Sequence, residues 1–366
     1  MNYSRRIKKI QAKLRRKKID AFLISQPQNR RYLSGYTGDD YGISESSGFL
    51  IIPAEGKIHL LTDFRYKNQA KQDVPWATIK IYKQGSLKLL CELLPDLDVK
   101  TLAFESHYTL FSTAQNLKTE LGKKGIQITP LEGMVEKMRR IKTEKEIDLI
   151  RTSVRLNEKV FVEIFKKLPE FETEIDISLA IESLMRRKGA EGNSFDSIVA
   201  SGTNSSLPHA VPTQSPIQKN KSLTIDMGLV LDGYCSDMTR NFVPGEPDKR
   251  YLMLHRLVRK AQLAGMAAIR AGVRCCDVDR AARKIIADAG YGKRFGHSLG
   301  HGVGLAVHEQ PNLSSHSTKK LRAGMIVTVE PGIYIPGWGG IRLENMVVVR
   351  EDGCENLNKD TTWLDI

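Results

Sequence analysis

The amino-acid sequence predicts a mixed α/β (α+β) protein made of two domains. Its 366 residues exceed one ordinary compact domain. The hydrophobic and charged fractions, 41% and 27%, are those of a globular chain that buries real cores. In the first third of the chain, short apolar runs bounded by turn residues alternate with helical patterns, whereas a long helix and two strand-turn-strand patterns mark the rest.

Local patterns predict a small mixed α/β domain over residues 1–135. RRIKKIQAKLRRKK, residues 5–18, places apolar residues at helical spacing, which indicates an amphipathic helix with a basic outer face. AFLIS, residues 21–25, predicts a buried strand, and residues 48–63 predict two strands around a turn at Glu55–Gly56. Further helical patterns lie at residues 66–72 and 112–123.

The second domain, predicted over residues 136–366, opens with a long helix. TEKE, residues 143–146, has the S/T-x-x-E form of a helix start, in which side chains and backbone cap each other. An apolar stripe continues after it at helical spacing, formed by Ile147, Ile150, Val154, Phe161 and Ile164.

A predicted hairpin in the second domain brings two aspartates together. In SLTIDMGLVLDGYCSDMTRNF, the Asp-Gly pair at residues 232–233 is typical of a two-residue hairpin loop. With that loop, Asp226 faces Thr239 and Asp237 faces Gly228, so that both carboxylates share one sheet face. Gly228 is expected to leave space beside Asp237. A β-bulge would reverse the parity, so the shared face depends on an unbroken register.

The pattern recurs in MIVTVEPGIYIPGWGGIRLENMVVVR, which carries Glu330 on one apolar strand and Glu344 on the returning strand. A single such acid fits an edge-strand or turn residue, but converging buried acids are costly unless protonated, paired with cations or bound to metal. GHSLGHGVGLAVHE, residues 296–309, adds three of the 8 histidines. Its glycines are expected to mark a place where another backbone or a bound ligand comes close, and those beside the histidine to let backbone approach the ions.

Four carboxylates and one imidazole form an oxygen-rich donor set. Such a set suits two divalent ions such as Mn(II) or Co(II) better than structural zinc, and four negative groups balance two doubly charged cations. Paired ions of this kind activate water and polarise a carbonyl. Hydrolysis of an amide is therefore the expected chemistry.

The motifs DMGLVLDGYCSDMTR, GHGVGL, VEPGIY and GIRLEN together resemble those of the pita-bread metallopeptidase family. The similarity is to its Xaa-Pro aminopeptidases and Xaa-Pro dipeptidases (prolidases). The resemblance implies a C-terminal pita-bread catalytic domain in which Asp226 binds one metal ion and His301 and Glu330 bind the other. It also implies that Asp237 and Glu344 bridge both ions.

Other positions match the family outside the ligand set. By resemblance, His209 lines the substrate pocket, His308 contacts the substrate and stabilises the tetrahedral intermediate, and Arg342 positions substrate and site. Glu330 is also expected to carry a proton from water to the leaving nitrogen. His297 has no assigned role and is interpreted as structural. NRRYLSGYTG and LLTDFRY resemble the creatinase-type N-terminal domain found in prolidases and Xaa-Pro aminopeptidases.

The resemblance implies an enzyme that cleaves between an N-terminal residue and proline, as an Xaa-Pro aminopeptidase or an Xaa-Pro dipeptidase. The expected substrates are peptides with proline at the second position, and family members are usually dimers, so a homodimer is expected. The alternative is a non-catalytic pita-bread binding protein or a chaperone for a nucleoprotein partner. The complete ligand set favours the enzyme.

Charge and cysteine content bear on partners and location. The net charge is +14, but its basic residues are spread along the chain, so a solvated basic surface is preferred to a nucleic-acid partner. Five scattered cysteines without a C-x-x-C pair indicate reduced thiols. No membrane span or secretory signal is recognised, so we expect no membrane partner and a cytoplasmic protein.

Overall fold

The computed structural model describes residues 2–40 and 42–361. The chain divides into two compact units, residues 1–139 and 140–366. Each unit combines helices with sheets, which confirms the predicted mixed α/β class. Within the described residues, no helix is both long and apolar enough to cross a membrane.

The N-terminal unit contains one six-stranded sheet. Its helices and strands are α1 (Tyr3–Lys17), β1 (Ala21–Ile24), α2 (Pro27–Ser34), β2 (Phe49–Pro53), β3 (His59–Thr62), α3 (Lys67–Asp73), β4 (Thr78–Ile81), α4 (Ser86–Asp96), β5 (Thr101–Glu105), α5 (Phe111–Gly122), β6 (Gln127–Leu131) and α6 (Glu136–Arg139). The strand order is β4-β3-β2-β1-β5-β6, with β2 antiparallel to both of its neighbours. The central strand β1 is buried along its whole length, as its apolar sequence predicts.

Two local predictions for this unit are confirmed. The turn between β2 and β3 contains Gly56 in the left-handed conformation, with φ of 84°, which glycine adopts without steric cost. Helix α1 buries Ile7, Ile10 and Leu14 while its lysines at positions 8 and 9 remain exposed, so that the basic side faces solvent.

The described part of the C-terminal unit, residues 140–361, contains four sheets and four long helices. Its elements are α7 (Glu144–Lys166), α8 (Glu174–Arg187), β7 (Gly192–Asn193), β8 (Ile198–Ser201), β9 (Leu223–Met227), β10 (Leu229–Leu231), β11 (Tyr234–Cys235), β12 (Met238–Phe242), α9 (Lys249–Ala267), α10 (Cys275–Asp288), β13 (Gly300–Gly302), β14 (Glu309–Leu313), β15 (Ile326–Val329), β16 (Gly332–Ile335), β17 (Gly339–Arg342), β18 (Asn345–Val349) and β19 (Cys354–Asn356). The predicted capping box is present at the start of α7, where Thr143 and Glu146 cap each other. The core lies between the helices and the sheets, and α7 contributes Val160, Phe161 and Ile164 to it.

The first hairpin, residues 223–242, has the predicted register but is interrupted. At its tip, Asp232 and Gly233 adopt φ of 50° and 81°, as the two-residue Asp-Gly loop requires. Asp226 pairs with Thr239 as predicted. The base of the hairpin pairs β9 with β12, and its tip pairs β10 with β11. Two residues on each side lie between base and tip, outside the strand pairing of the hairpin. The tip belongs to a different sheet from the base.

The second hairpin, residues 326–349, is interrupted in the same way. Its base pairs β15 with β18, and its tip pairs β16 with β17 in a sheet of its own. Val329 pairs with Asn345 and Gly332 with Arg342, so the unpaired interval again holds two residues from each strand. We call these two intervals the first gap (residues 228–229 and 236–237) and the second gap (residues 330–331 and 343–344).

Candidate metal centre

Three of the four predicted carboxylate ligands lie in the gaps. Asp237 belongs to the first gap, Glu330 and Glu344 lie opposite each other in the second, and Asp226 is in β9 beside the first gap. At a gap the regular strand pairing stops, and the N–H groups of the glutamates turn to other segments. The Glu330 N–H donates to the Leu299 carbonyl at 2.8 Å, and the Glu344 N–H donates to the Thr239 carbonyl at 3.2 Å. The gaps thereby connect the two hairpins to each other and to the segment before β13.

The gaps and β13 bring the predicted ligands together. Ligand atoms of Asp237, His301 and Glu344 all lie within 4.8 Å of one another. The His301 Nε2 atom is 3.3 Å from Glu330 Oε1 and 3.5 Å from Asp237 Oδ2. These separations allow one cation to contact several of the groups at once.

Asp226 completes the donor set from the neighbouring strand. Its Oδ2 atom accepts a hydrogen bond from Arg342 Nη2 at 2.7 Å. Its Oδ1 atom is buried and has no hydrogen-bond partner among the described residues. An unpaired buried carboxylate oxygen carries a desolvation cost, which a bound cation would offset at this atom.

Neighbouring hydroxyl and carbonyl groups orient the ligands. Thr239 Oγ1 donates to Glu344 Oε2 at 2.8 Å, and Thr328 Oγ1 donates to Glu330 Oε1 at 3.0 Å. His301 Nδ1 lies 3.1 Å from the Gly302 carbonyl, which can only accept, so Nδ1 carries the proton. The Nε2 lone pair is then free to bind a metal ion.

Burial and mutual repulsion disfavour the ionised form of the carboxylates when no cation is bound. Burial, together with the Asp226 and Glu330 carboxylates, raises the pKa of Asp237 well above its ordinary range. Burial and the neighbouring acids, Asp237 foremost, raise the pKa of Glu344 in the same direction. Burial raises the pKa of Glu330 to about 7, although Arg342 opposes the rise. Burial lowers the pKa of His301, which keeps the imidazole neutral and able to bind metal.

The residues therefore fit divalent cations. Four carboxylates and a neutral imidazole provide mainly hard oxygen donors, and bound cations would remove the repulsion among the buried acids. The orphaned Asp226 Oδ1 gains a partner in the same step.

Arg342 is the centre of a hydrogen-bond chain that the sequence analysis only partly anticipated. Besides Asp226, its guanidinium donates to Thr239 Oγ1 at 3.0 Å and to the Tyr334 hydroxyl at 2.8 Å. The Tyr334 hydroxyl lies 3.0 Å from His297 Nε2. Tyr334 was missed, and His297, interpreted as structural, is the far end of a chain that reaches Asp226. Tyr334 lies four residues after Glu330 in VEPGIY, but no spacing rule distinguishes it there from a core tyrosine.

His308 and His209 lie beside the cluster. The His308 and His301 rings contact each other edge to face, with centroids 4.4 Å apart. Both residues are more exposed than the ligands, and His209 is close enough for its charge to lower the pKa of His308, after burial and His301. Pro208, next to His209, accepts a hydrogen bond from Arg342 Nη1 at 3.1 Å. Both histidines thus border the donor set without belonging to it.

The expectation of empty space at Gly228 is wrong, whereas a close approach of neighbouring backbone is found at two glycines beside His301. A Cβ at Gly228 would lie 2.2 Å from both Ser194 Oγ and the Ser236 carbonyl, so the space is filled and not left open beside Asp237. In β13, a Cβ at Gly300 would lie 2.1 Å from the Thr328 carbonyl, and one at Gly302 would lie 2.6 Å from the Gln310 carbonyl. These glycines admit neighbouring strands, whose close approach brings His301 to the carboxylates.

Comparisons with known proteins cover both units. Residues 6–141 match the creatinase/prolidase N-terminal domain, and residues 148–351 match metallopeptidase family M24. The chain is 33% identical to an Xaa-Pro dipeptidase of Pyrococcus horikoshii over 97% of both chains. It is 35% identical to a putative Xaa-Pro aminopeptidase of Mycoplasma genitalium over 94% of both.

Solved structures show the same similarity. An Xaa-Pro dipeptidase from Bacillus anthracis matches with a TM-score of 0.90 and 34% identity, over 98% of each chain. An X-Pro aminopeptidase from Thermotoga maritima matches with a TM-score of 0.86 and 36% identity, over 94% of this chain and 96% of that one.

Proposed function

Because the chain belongs to metallopeptidase family M24, we propose that it uses two divalent cations to hydrolyse the peptide bond between an N-terminal residue and proline. Membership confirms the predicted metallopeptidase class and the architecture of a creatinase-type domain followed by a pita-bread domain. The observation that carries the proposal is the convergence of His301 Nε2 on Glu330 and Asp237, at 3.3 and 3.5 Å, next to Glu344.

We assign the ligands as follows. Asp226, Asp237, His301, Glu330 and Glu344 would together hold the cations. Mn(II) or Co(II) is proposed, because four oxygen donors and a single imidazole suit such ions. When bound, the cations supply Lewis-acid activation of water and of the peptide carbonyl.

The surrounding residues supply orientation and proton transfer. The Arg342 guanidinium, held by Tyr334 and Thr239, fixes the Asp226 carboxylate. Glu330, whose Oε1 atom lies 3.3 Å from His301 Nε2, would accept a proton from the attacking water and pass it to the proline nitrogen as the bond breaks. His308 donates a hydrogen bond to the oxygen that gains negative charge, and His209 lines the substrate pocket.

Family membership and the convergence of Asp237, His301 and Glu344 favour this enzyme over the alternative of a non-catalytic binding protein. The proposed substrates are peptides with proline at the second position. We also propose that the protein is cytoplasmic and forms a homodimer. Light scattering of the purified chain measures the oligomeric state.

The decisive experiment is hydrolysis by the Mn(II)-loaded protein of Xaa-Pro dipeptides compared with Xaa-Pro-Xaa tripeptides. Cleavage before proline is expected, with both products identified by mass spectrometry. Preference for the dipeptide assigns a dipeptidase, and preference for the tripeptide assigns an aminopeptidase. Matched peptides with alanine in place of proline are the control. Equal cleavage of the alanine peptides, or full activity in strong chelator, contradicts the proposal.

A further inference from the structure

The segment that carries His308 is a short loop between β13 and β14. This His308 loop, residues 303–308, is held by the Gly304 N–H donating to the Ala306 carbonyl at 3.0 Å. The Cys235 N–H donates to the Gly304 carbonyl at 2.8 Å. The His308 ring has no hydrogen bond among the described residues, and its recorded ring contact is the edge-to-face one with His301. The position of the imidazole therefore depends on the backbone of its loop and on the contact with His301.

Glu309, which directly follows the loop, holds it through a side-chain hydrogen bond. Its backbone pairs with Gly302 in the sheet, while its Oε1 atom turns back to accept the Ala306 N–H at 3.1 Å. A Cβ at Gly304 would lie 2.8 Å from both carboxylate oxygens, so the glycine leaves room for this carboxylate beside the loop backbone.

The buried Lys142 neutralises the charge of the Glu309 carboxylate. Lys142 Nζ lies 3.2 Å from Glu309 Oε2, and the two side chains are only 2% and 6% exposed. Lys142 is itself anchored, because its backbone N–H donates to the Gly324 carbonyl at 2.8 Å and it directly precedes the N-cap of α7. Removing one partner of a buried ion pair leaves an uncompensated buried charge, so neither side chain can leave the other at low cost.

We propose that the Lys142–Glu309 ion pair positions His308 for catalysis. The inference rests on the proposed function, in which His308 acts on the substrate. The Glu309 carboxylate fixes the loop backbone at Ala306, two residues before His308, and Lys142 fixes the Glu309 carboxylate. Neither side chain is a metal ligand. Loss of the pair is therefore expected to release the loop while the donor set stays intact.

The test is a double-mutant cycle on the full-length Mn(II)-loaded protein. Glu309→Gln keeps the amide-accepting oxygen but removes the charge, and we expect kcat to fall by about 10- to 100-fold, because the imidazole is displaced from its productive position. KM and metal content are expected to stay near those of the parent. In the His308→Ala background, Glu309→Gln is expected to cause no further fall in kcat, since the group that it positions is absent.

Two further variants separate positioning from general destabilisation. Lys142→Arg keeps the charge and should retain most activity, whereas Lys142→Met should repeat the Glu309→Gln result. Asp40→Asn is the matched control, since it breaks the Arg30–Asp40 ion pair, buried to a similar degree (0% and 3% exposed) in the N-terminal unit. It is expected to lower the unfolding temperature and to leave kcat unchanged in either background.

Hydrogen exchange supplies a measurement that is independent of activity. The amides of residues 303–308 should exchange faster in Glu309→Gln, while those of β15 and β18 should not. Equal loss of kcat on Glu309→Gln with and without His308, or unchanged exchange in the loop, overturns the proposal. If the parent enzyme cleaves no Xaa-Pro peptide, the proposed function fails, and the exchange data alone decide whether the ion pair holds the loop.

Discussion

At the residue scale, the hydrogen-bond partner of one imidazole nitrogen decides whether the other nitrogen can bind a metal ion. His301 donates its Nδ1 proton to the Gly302 carbonyl, which leaves Nε2 directed at the carboxylates. His308, seven residues later, has a ring that contacts His301 but none of the acids at ion-pair distance among the described residues. The two imidazoles are chemically identical, yet only the first is placed to bind a metal ion.

This contrast predicts different outcomes for two alanine variants. His301→Ala should lose at least one cation, because it removes a direct ligand. His308→Ala should keep the bound metal and lose turnover, because its proposed partner is the substrate. Inductively coupled plasma mass spectrometry and Xaa-Pro hydrolysis measure the two effects. Equal metal loss in both variants would contradict the division of roles.

Two aspartates of the first hairpin provide a second prediction. Asp237→Asn keeps the size of the side chain but removes the charge of a proposed metal ligand, so metal content should fall and activity should drop by orders of magnitude. Asp232→Asn lies in the turn with φ of 50°, which asparagine also adopts. Its stability should change by no more than about 0.5 kcal/mol, with metal and kinetics unaffected. Metal loss on Asp232→Asn alone would show that the ligand assignment is wrong.

At the element scale, the interrupted hairpins create the site. A continuous ladder would hold Glu330 and Glu344 in ordinary strand positions with their backbone groups paired to each other. The second gap instead gives the Glu344 N–H to Thr239 of the first hairpin and the Glu330 N–H to Leu299. Each strand thus changes partners at a carboxylate, which brings acids from two hairpins to one point.

The glycines of β13 allow a prediction about this assembly. Gly300→Ala places a Cβ 2.1 Å from the Thr328 carbonyl, so β13 must move away from β15 and carry His301 with it. We expect a loss of about 1–3 kcal/mol in the free energy of unfolding together with weaker metal binding. Gly296→Ala, in the same segment, meets nothing within 4 Å and serves as the control. Urea denaturation and metal titration distinguish the two, and equal effects would contradict the packing argument.

The local sequence is sufficient to predict the register of the first hairpin but not the two gaps. The Asp-Gly loop correctly predicted that Asp226 pairs with Thr239, because a two-residue turn fixes the register of the residues beside it. The interruption depends on remote groups, such as the Met346 sulfur that accepts the Asp237 N–H at 3.2 Å. No pattern near Asp237 indicates that partner, which is also why Gly228 was misjudged and Tyr334 was overlooked.

At the scale of the whole molecule, all five proposed ligands lie in the unit of residues 140–366. Burial, followed by repulsion from the neighbouring carboxylates, raises the pKa of Asp237 and of Glu344. A folded chain without cations therefore carries a free-energy cost that binding removes, and cations that bind only the folded state add their binding free energy to its stability.

The corresponding prediction concerns thermal unfolding. Mn(II) at 100 times its dissociation constant should stabilise the unit by about 2.7 kcal/mol, and a strong chelator should reverse the gain. Differential scanning calorimetry measures the shift, and circular dichroism in chelator should retain the helix and sheet signal. The same titration on Asp237→Asn should give a smaller shift. An unfolding temperature that is indifferent to Mn(II) would contradict a cation site within the fold.

The spread of the ligands along the chain determines when a cation can be acquired. Asp226 and Asp237 are synthesised more than ninety residues before Glu344, and the second gap forms only once β18 pairs with β15. A growing polypeptide on the ribosome therefore holds an incomplete set of donors until residue 344 has emerged. The finished enzyme must take its ions from its surroundings after synthesis, so the free concentrations of competing metals there select which ion it carries.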